Sequence, residues 1–267
     1  MEESHLLLQY SVTPLLLVED RSVNAIVVAA GRGTRLRPLT DRIPKALILI
    51  QGVRLMDYIL RGLSGVGVTD VVLVIRHLGD MIRETYGDSA FGMDIRYVEQ
   101  GKESGTGAAL LAAEGTVALG ARSGGNEPFM LLWGDILADP MNYRRILAKY
   151  ADHPCDLLST LNWMDDPSTG ASVETDGDRI IRIEEKPSPG RSRSNWNQAG
   201  IFVCRNAVFE ALRQCGLSLR GEIEFTAGVQ KLIEMGKDVR WMPLEGFWSD
   251  VGTPEALERL QTIDFRL

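Results

Sequence analysis

The chain has 267 residues, a length that suits one domain with insertions, and its 45% hydrophobic and 24% charged residues are ordinary for a globular protein. A formal net charge of -7 excludes a broad basic surface, so no nucleic-acid partner is expected and any phosphate site must be local. Three cysteines without CxxC spacing and three histidines leave little material for a zinc centre or a Ser-His-Asp triad.

Residues 1–22 read as an N-terminal extension of undetermined order. "TPLLLVEDRSV" fits an added strand or the remnant of an upstream module. The start "MEESHLLLQY" is acidic, the wrong polarity for a signal peptide. No stretch reaches the ~18 apolar residues of a membrane span. A cytoplasmic protein without a membrane partner is expected, its cysteines reduced.

From residue 23 onward the pattern alternates. Apolar runs at 25–30, 70–75, 94–99, 128–135 and 155–161 read as buried strands, and stretches at 55–67, 79–87, 106–117 and 141–151 read as helices. In the last of these, Tyr143, Ile146, Leu147 and Tyr150 recur at helical spacing. Such alternation predicts an α/β fold, Rossmann-like, with a mixed, mostly parallel sheet flanked by helices. The second half changes character. "ASVETDGDRIIRIEEKP" predicts two strands around an Asp-Gly turn, "AGIFVC" another strand, and 226–236 a helix. We read 23–267 as a single domain, with a first part to about 160 and a small α+β part from about 161. No hexapeptide array follows residue 253.

The first strand runs into "AAGRGTRLRPLTDRIPKAL" (29–47), a Gly-rich turn loaded with cations. It is not a dinucleotide fingerprint, because Leu36 stands where the third glycine belongs, and it lacks the Gly-Lys-Ser/Thr of a P-loop. What remains is a turn whose backbone N–H groups can close on an anion, with Thr34, Arg35, Arg37 and Lys45 as further donors. Pro38 and Pro44 restrict the segment that leads to Lys45.

This stretch resembles the signature of the sugar-phosphate nucleotidylyltransferases, roughly GGxGTRLxPLTxxxPKPL, with Ala30 for a glycine and Ala46 for a proline. The resemblance continues in order through "EQGKESGTGAAL" (99–110), "LLWGDIL" (131–137), "TGASVETDGDRIIRIEEKP" (169–187), "SNWNQAGIFV" (194–203), "LRGEIEFT" (219–226) and "FWSDVGTPEAL" (247–257). "LRGEIEFT" is closest to glucose-1-phosphate thymidylyltransferases. The resemblance implies attack by a sugar-1-phosphate oxygen on the α-phosphorus of a nucleoside triphosphate, with pyrophosphate leaving.

It also implies roles. Ala30, Gly31, Gly33 and Thr34 would bind the nucleotide. Arg35 would meet charge developing at the α-phosphate, and Lys45 would hold the triphosphate. Gln100 and Gly105 would face the base, Gln100 through a two-point contact with the O4/N3–H edge of thymine or uracil. Asp135, at a strand's carboxyl end, and Asp250 would ligate Mg²⁺, an oxygen-seeking cation. Lys186 and Arg220 would hold the sugar phosphate, with Lys186 also catalytic, and Glu185 would accept sugar hydroxyls. Gly170 and Gly200 would admit the sugar against the backbone. The expected substrates are dTTP or UTP and a hexose-1-phosphate, glucose-1-phosphate in the lead. A guanylyltransferase of mannose- or heptose-1-phosphate is the runner-up. A glycosyltransferase and a non-catalytic nucleotide-sugar-binding subunit were weighed against these; Asp135 and Asp139 do not form an Asp-x-Asp cluster, and no catalytic candidate is missing. A dimer or tetramer suits the family.

Overall fold

The computed structural model describes residues 23–116 and 127–263, so the N-terminal extension lies outside the described residues. The strands are β1 (Val23–Val28), β2 (Leu49–Ile50), β3 (Val53–Arg54), β4 (Val68–Ile75), β5 (Ser89–Ala90), β6 (Met93–Glu99), β7 (Phe129–Trp133), β8 (Ile136–Ala138), β9 (Leu157–Trp163), β10 (Ala171–Asp176), β11 (Arg179–Glu185), β12 (Trp196–Cys204), β13 (Val239–Pro243) and β14 (Trp248–Asp250). The helices are α1 (Leu55–Ser64), α2 (Gly79–Tyr86), α3 (Thr106–Ala112), α4 (Met141–Asp152), α5 (Ala207–Arg213), α6 (Phe225–Glu234) and α7 (Pro254–Thr262).

One ten-stranded sheet runs through the molecule in the order β10-β11-β13-β9-β12-β7-β1-β4-β6-β5. Its parallel core is β7-β1-β4-β6. β12 pairs antiparallel with both β7 and β9, joining the first half of the chain to the second within the same sheet. The two-residue period of a strand divides the core. Ala25, Val27, Val71, Leu73, Met130 and Leu132 point to a layer containing Met56, Ile59 and Leu60 of α1, Ile82 of α2 and Tyr143 and Ile146 of α4. Ile26, Val72, Val74, Leu131 and Phe202 point the other way, to Leu110 of α3, Phe209 and Leu212 of α5 and Phe225 and Val229 of α6. Strands buried on both faces read as continuous apolar runs, which is why they were visible in the sequence.

Two local features shape the site. β8 and β14 form a separate ribbon in which Asp250 pairs with Ile136, and Val251 N–H donates to Asp135 O at 2.9 Å. This ribbon sets Asp135 and Asp250 side by side although 115 residues separate them. The β12–β9 register shifts between Gln198 and Phe202, around Gly200 at φ +87°. A Cβ on Gly200 would lie 2.7 Å from Trp133 Cδ1 and 2.8 Å from Ile136 Cγ1. Gly200 is therefore a buried bulge glycine whose missing side chain is demanded by packing on Trp133 and Ile136.

Gly200→Ala combines a left-handed backbone with a clash, so a loss of about 1–3 kcal/mol in denaturant unfolding is expected. An unchanged midpoint would contradict this description of the bulge.

Candidate active site

The loop after β1, the carboxyl ends of β1 and β7, the β8–β14 ribbon and the ends of β11 and β12 surround a cleft of about 900 Å³. Open α/β sheets present ligand sites at such strand ends. Ala30, Gly31 and Thr34 line one side of it, joined by Arg32, Arg76 and Lys102. The residues expected at the far side, Gly170, Glu185, Lys186 and Arg220, line it as well. Gly33 does not. It takes φ +61°, its Cβ would sit 2.7 Å from Thr40 Cγ2, and Thr40 Oγ1 donates to its carbonyl at 2.8 Å. Gly33 is thus required by the fold of the turn itself. His77 Nε2 lies 3.1 Å from Thr40 O and ties the end of β4 to the same turn.

The centre of the cleft is an ionic cluster. Lys45 Nζ lies 2.7 Å from Asp135 Oδ2 and 3.7 Å from Asp250 Oδ1, and its side chain is only 11% exposed. Arg35 stands 3.9 Å from Asp250 Oδ2 with 66% of its side chain exposed. Lys45 is therefore held, whereas Arg35 is free to swing toward an anion. Gly252 makes room for this arrangement, since a Cβ there would come within 2.7 Å of both Arg35 Nη2 and Asp250 Oδ2. Burial, and then the neighbouring Asp135 carboxylate, push the Asp250 pKa up against the opposing pull of Lys45 and Arg35. Asp250 Oδ1 is buried and has no hydrogen-bond partner. Two adjacent carboxylates with one unsatisfied buried oxygen fit a small divalent cation that keeps water and phosphate oxygens as its other ligands. Among the described residues no group of three or more His, Cys, Asp or Glu side chains gathers at one point, so an all-protein cage for a metal is not formed.

Beyond β6, Gln100 N–H donates to Ile75 O at 2.9 Å, fixing the residue against the end of β4. Its side-chain Nε2 donates to Glu103 O and Gly105 O at 3.0 and 3.1 Å. Only Oε1 is left for a base, which reduces the expected two-point contact to one point. Gly105, at φ +106°, abuts Ile223 O, where a Cβ would come within 2.3 Å. It lines the cleft, but its missing side chain is demanded by this packing.

The opposite end is more acidic than the sequence suggested. Arg220 Nη2 lies 2.7 Å from Glu224 Oε1 and 3.3 Å from Glu185 Oε1, and its Nε is 3.8 Å from Glu222. Arg220 is thus engaged by three carboxylates, whereas Lys186 Nζ meets Glu185 at 3.9 Å and is the more loosely paired of the two cations. Lys186 is half exposed and adopts φ +44°, with its N–H donating to Gly170 O at 2.7 Å. Burial and then Glu224 raise the Glu185 pKa. Gly170 leaves space for Asn197, whose Oδ1 would be 2.1 Å from a Cβ and accepts from Ala171 N–H at 2.8 Å. The sequence reading missed Arg76, Lys102, Asn197 and Thr226 as lining residues; Arg76 lies outside the quoted motifs, and the other three lie inside them with no residue-level signal of their own.

The profile of the nucleotidyl transferase family matches residues 24–264. A glucose-1-phosphate thymidylyltransferase of Streptomyces antibioticus is 32% identical over 234 residues, 86% of this chain and 63% of that protein. The bifunctional protein GlmU of Methanococcus maripaludis is 31% identical over 238 residues, 87% of this chain and 52% of that protein. The chain thus spans about half to two thirds of the length of these relatives. The UTP–glucose-1-phosphate uridylyltransferase AglF of Haloferax volcanii is 29% identical over 246 residues, 90% of this chain and 97% of that one. A Bacillus anthracis protein assigned as a glucose-1-phosphate thymidylyltransferase, solved with sucrose, superposes with a TM-score of 0.78 at 26% identity, covering 92% of this chain and 98% of that one. With the ordered motifs, the sheet and the cleft, these matches identify the chain as a member of the nucleotidyl transferase family, within its sugar-phosphate branch.

Proposed function

We propose that the cleft joins a nucleoside triphosphate, dTTP or UTP, to a hexose-1-phosphate, with glucose-1-phosphate favoured, releasing pyrophosphate and an NDP-sugar. The observation that carries this reading is the cluster of Arg35, Lys45, Asp135 and Asp250 at the middle of a cleft large enough for two substrates. The relatives named for thymidylyl and uridylyl transfer support the pyrimidine preference, because thymine and uracil share the N3–H that Gln100 Oε1 can accept.

The reaction brings two polyanions together, so alignment and charge neutralisation supply most of its rate. The turn at Gly31–Thr34 and the cations Arg32, Arg76 and Lys102 receive the triphosphate. Arg35, exposed and loosely tethered, closes on the α-phosphate and the departing pyrophosphate. Lys186 orients the sugar phosphate for in-line attack, and Glu185 accepts hydroxyls of the ring. Asp135 and Asp250 would hold Mg²⁺, which when bound neutralises phosphate charge and polarises the α-phosphorus. Lys45 keeps the two carboxylates together and lends them a positive neighbour. No residue is asked to form a covalent intermediate.

Pyrophosphate release is expected from one or a few pairings in a grid of five nucleoside triphosphates and four hexose-1-phosphates (glucose, mannose, galactose and N-acetylglucosamine). Triphosphate binding without release in every cell would favour a non-catalytic binding protein and contradict the reading. Arg35→Ala and Lys45→Ala should each lower kcat by roughly 10²–10³-fold with native circular dichroism, the range seen on deleting one preorganised charge contact. Near-normal rates in both would exclude the assignment. Chelation should abolish turnover and Mg²⁺ should restore it, and Asp250→Asn should raise the Mg²⁺ concentration needed for half-maximal rate. A rate indifferent to chelator would remove the metal from the mechanism.

A further inference from the structure

The sugar end of the cleft contains a polar group with nothing to bind. Gln198 lies in β12, paired across from Leu161 at the start of the register shift, and lines the cleft. Its Nε2 is buried and has no hydrogen-bond partner. Thr226, at the start of α6 and 5% exposed, also lines the cleft, with its buried hydroxyl beside the Glu185 carboxylate, to which it can donate. Unlike Asp250 Oδ1, which has the Lys45 ammonium 3.7 Å away, Gln198 Nε2 has no charged neighbour among the described residues to compensate it.

Neighbouring polar groups are already used. Asn197 Oδ1 accepts from Ala171 N–H, and its Nδ2 donates to Asn162 Oδ1 and Gln198 O. Trp248 Nε1 donates to Ala199 O at 2.8 Å. The bulge at Gly200 fixes this stretch of β12, so Gln198 does not turn toward another protein partner without disturbing it. Buried polar groups are nearly always paired, and unpaired ones at a cleft wall mark where a ligand completes the set.

We propose that Gln198 is a specificity-determining residue: its side-chain amide selects a hexose-1-phosphate that presents a free hydroxyl at this edge of the ring. The inference rests on the proposed sugar-1-phosphate reaction and adds the group that is read. A hydroxyl both donates and accepts, so it satisfies an amide in either orientation of its end group. A sugar lacking that hydroxyl leaves the amide buried and unpaired, whereas a purely steric pocket accepts the smaller analogue readily.

The test uses the full chain with Mg²⁺, its preferred triphosphate, the best hexose-1-phosphate from the grid, and that sugar's monodeoxy analogues at each ring hydroxyl. Wild-type protein should lose roughly tenfold or more in kcat/KM on one analogue, as expected when a buried polar group loses its partner. Gln198→Leu, which keeps the volume and removes both polar atoms, should bring the parent sugar and that analogue to nearly equal kcat/KM. KM for the triphosphate should stay at the wild-type value. A wild-type protein that discriminates against no analogue would overturn the inference, as would Gln198→Leu with the wild-type ratio intact. Should Gln198→Leu fail to fold, Gln198→Met keeps the length and removes both polar atoms, and an unchanged ratio in it would overturn the inference equally. A wild-type protein that turns over no sugar phosphate contradicts the proposed reaction itself, an outcome distinct from turnover without discrimination.

Discussion

The arrangement of the cleft depends on holding two carboxylates beside each other. Asp135 follows β7 and Asp250 ends β14, and the ribbon that pairs β14 with β8 brings them together. Burial first, and then the like charge of Asp135, push the Asp250 pKa up, so holding the two carboxylates here is unfavourable. Lys45 makes the pair tolerable by placing one ammonium against both. A partly exposed ionic triad of this kind adds little to stability compared with apolar packing. The triad is therefore better explained by ligand chemistry than by folding. The Gly-rich turn, the cleft and the glycine at 252 are all arranged around it.

The two ends of the cleft differ in electrostatics. Arg32, Arg76 and Lys102 stand at the end nearest Gln100, where a triphosphate would lie. At the other end Glu185, Glu222 and Glu224 surround Arg220, and Lys186 is the further cation. A highly charged anion and a less charged sugar phosphate would thus be sorted by field before any specific contact is made. The overall charge of -7 makes this polarity a local property. Among the described residues no helix is long and apolar enough to cross a membrane.

Much of the architecture was legible because the central strands are buried on both faces and the helices carry one apolar stripe. β1, β4, β6 and β7 were each expected within a few residues of where they lie. The short pieces β8, β13 and β14 were not. β14 and β8 have three residues each, and β13 is stabilised by pairing with β9 rather than by an alternating pattern. The structure brings together Arg35 and Lys45, which the charge density of one loop marked, and Asp135 and Asp250, which the resemblance marked. The site was illegible where a glycine or an amide serves the protein first. Gly33, Gly105, Gly170 and Gly200 each clear space for protein atoms, and the Gln100 amide binds its own loop. Sequence motifs mark such positions but do not say what fills the space beside them. Gln198 shows the converse: it lies within the 194–203 motif, yet nothing in the sequence marks that its buried Nε2 has no hydrogen-bond partner.

The most direct measurement is anomalous diffraction from crystals grown with Mn²⁺ and a non-hydrolysable analogue of the preferred triphosphate. A peak touching both Asp135 and Asp250, with the triphosphate running from the Gly31–Thr34 turn and its base at Gln100, is the result predicted by a reaction centre built on this carboxylate pair. A metal bound elsewhere, or a triphosphate seated away from Arg35 and Lys45, would contradict it.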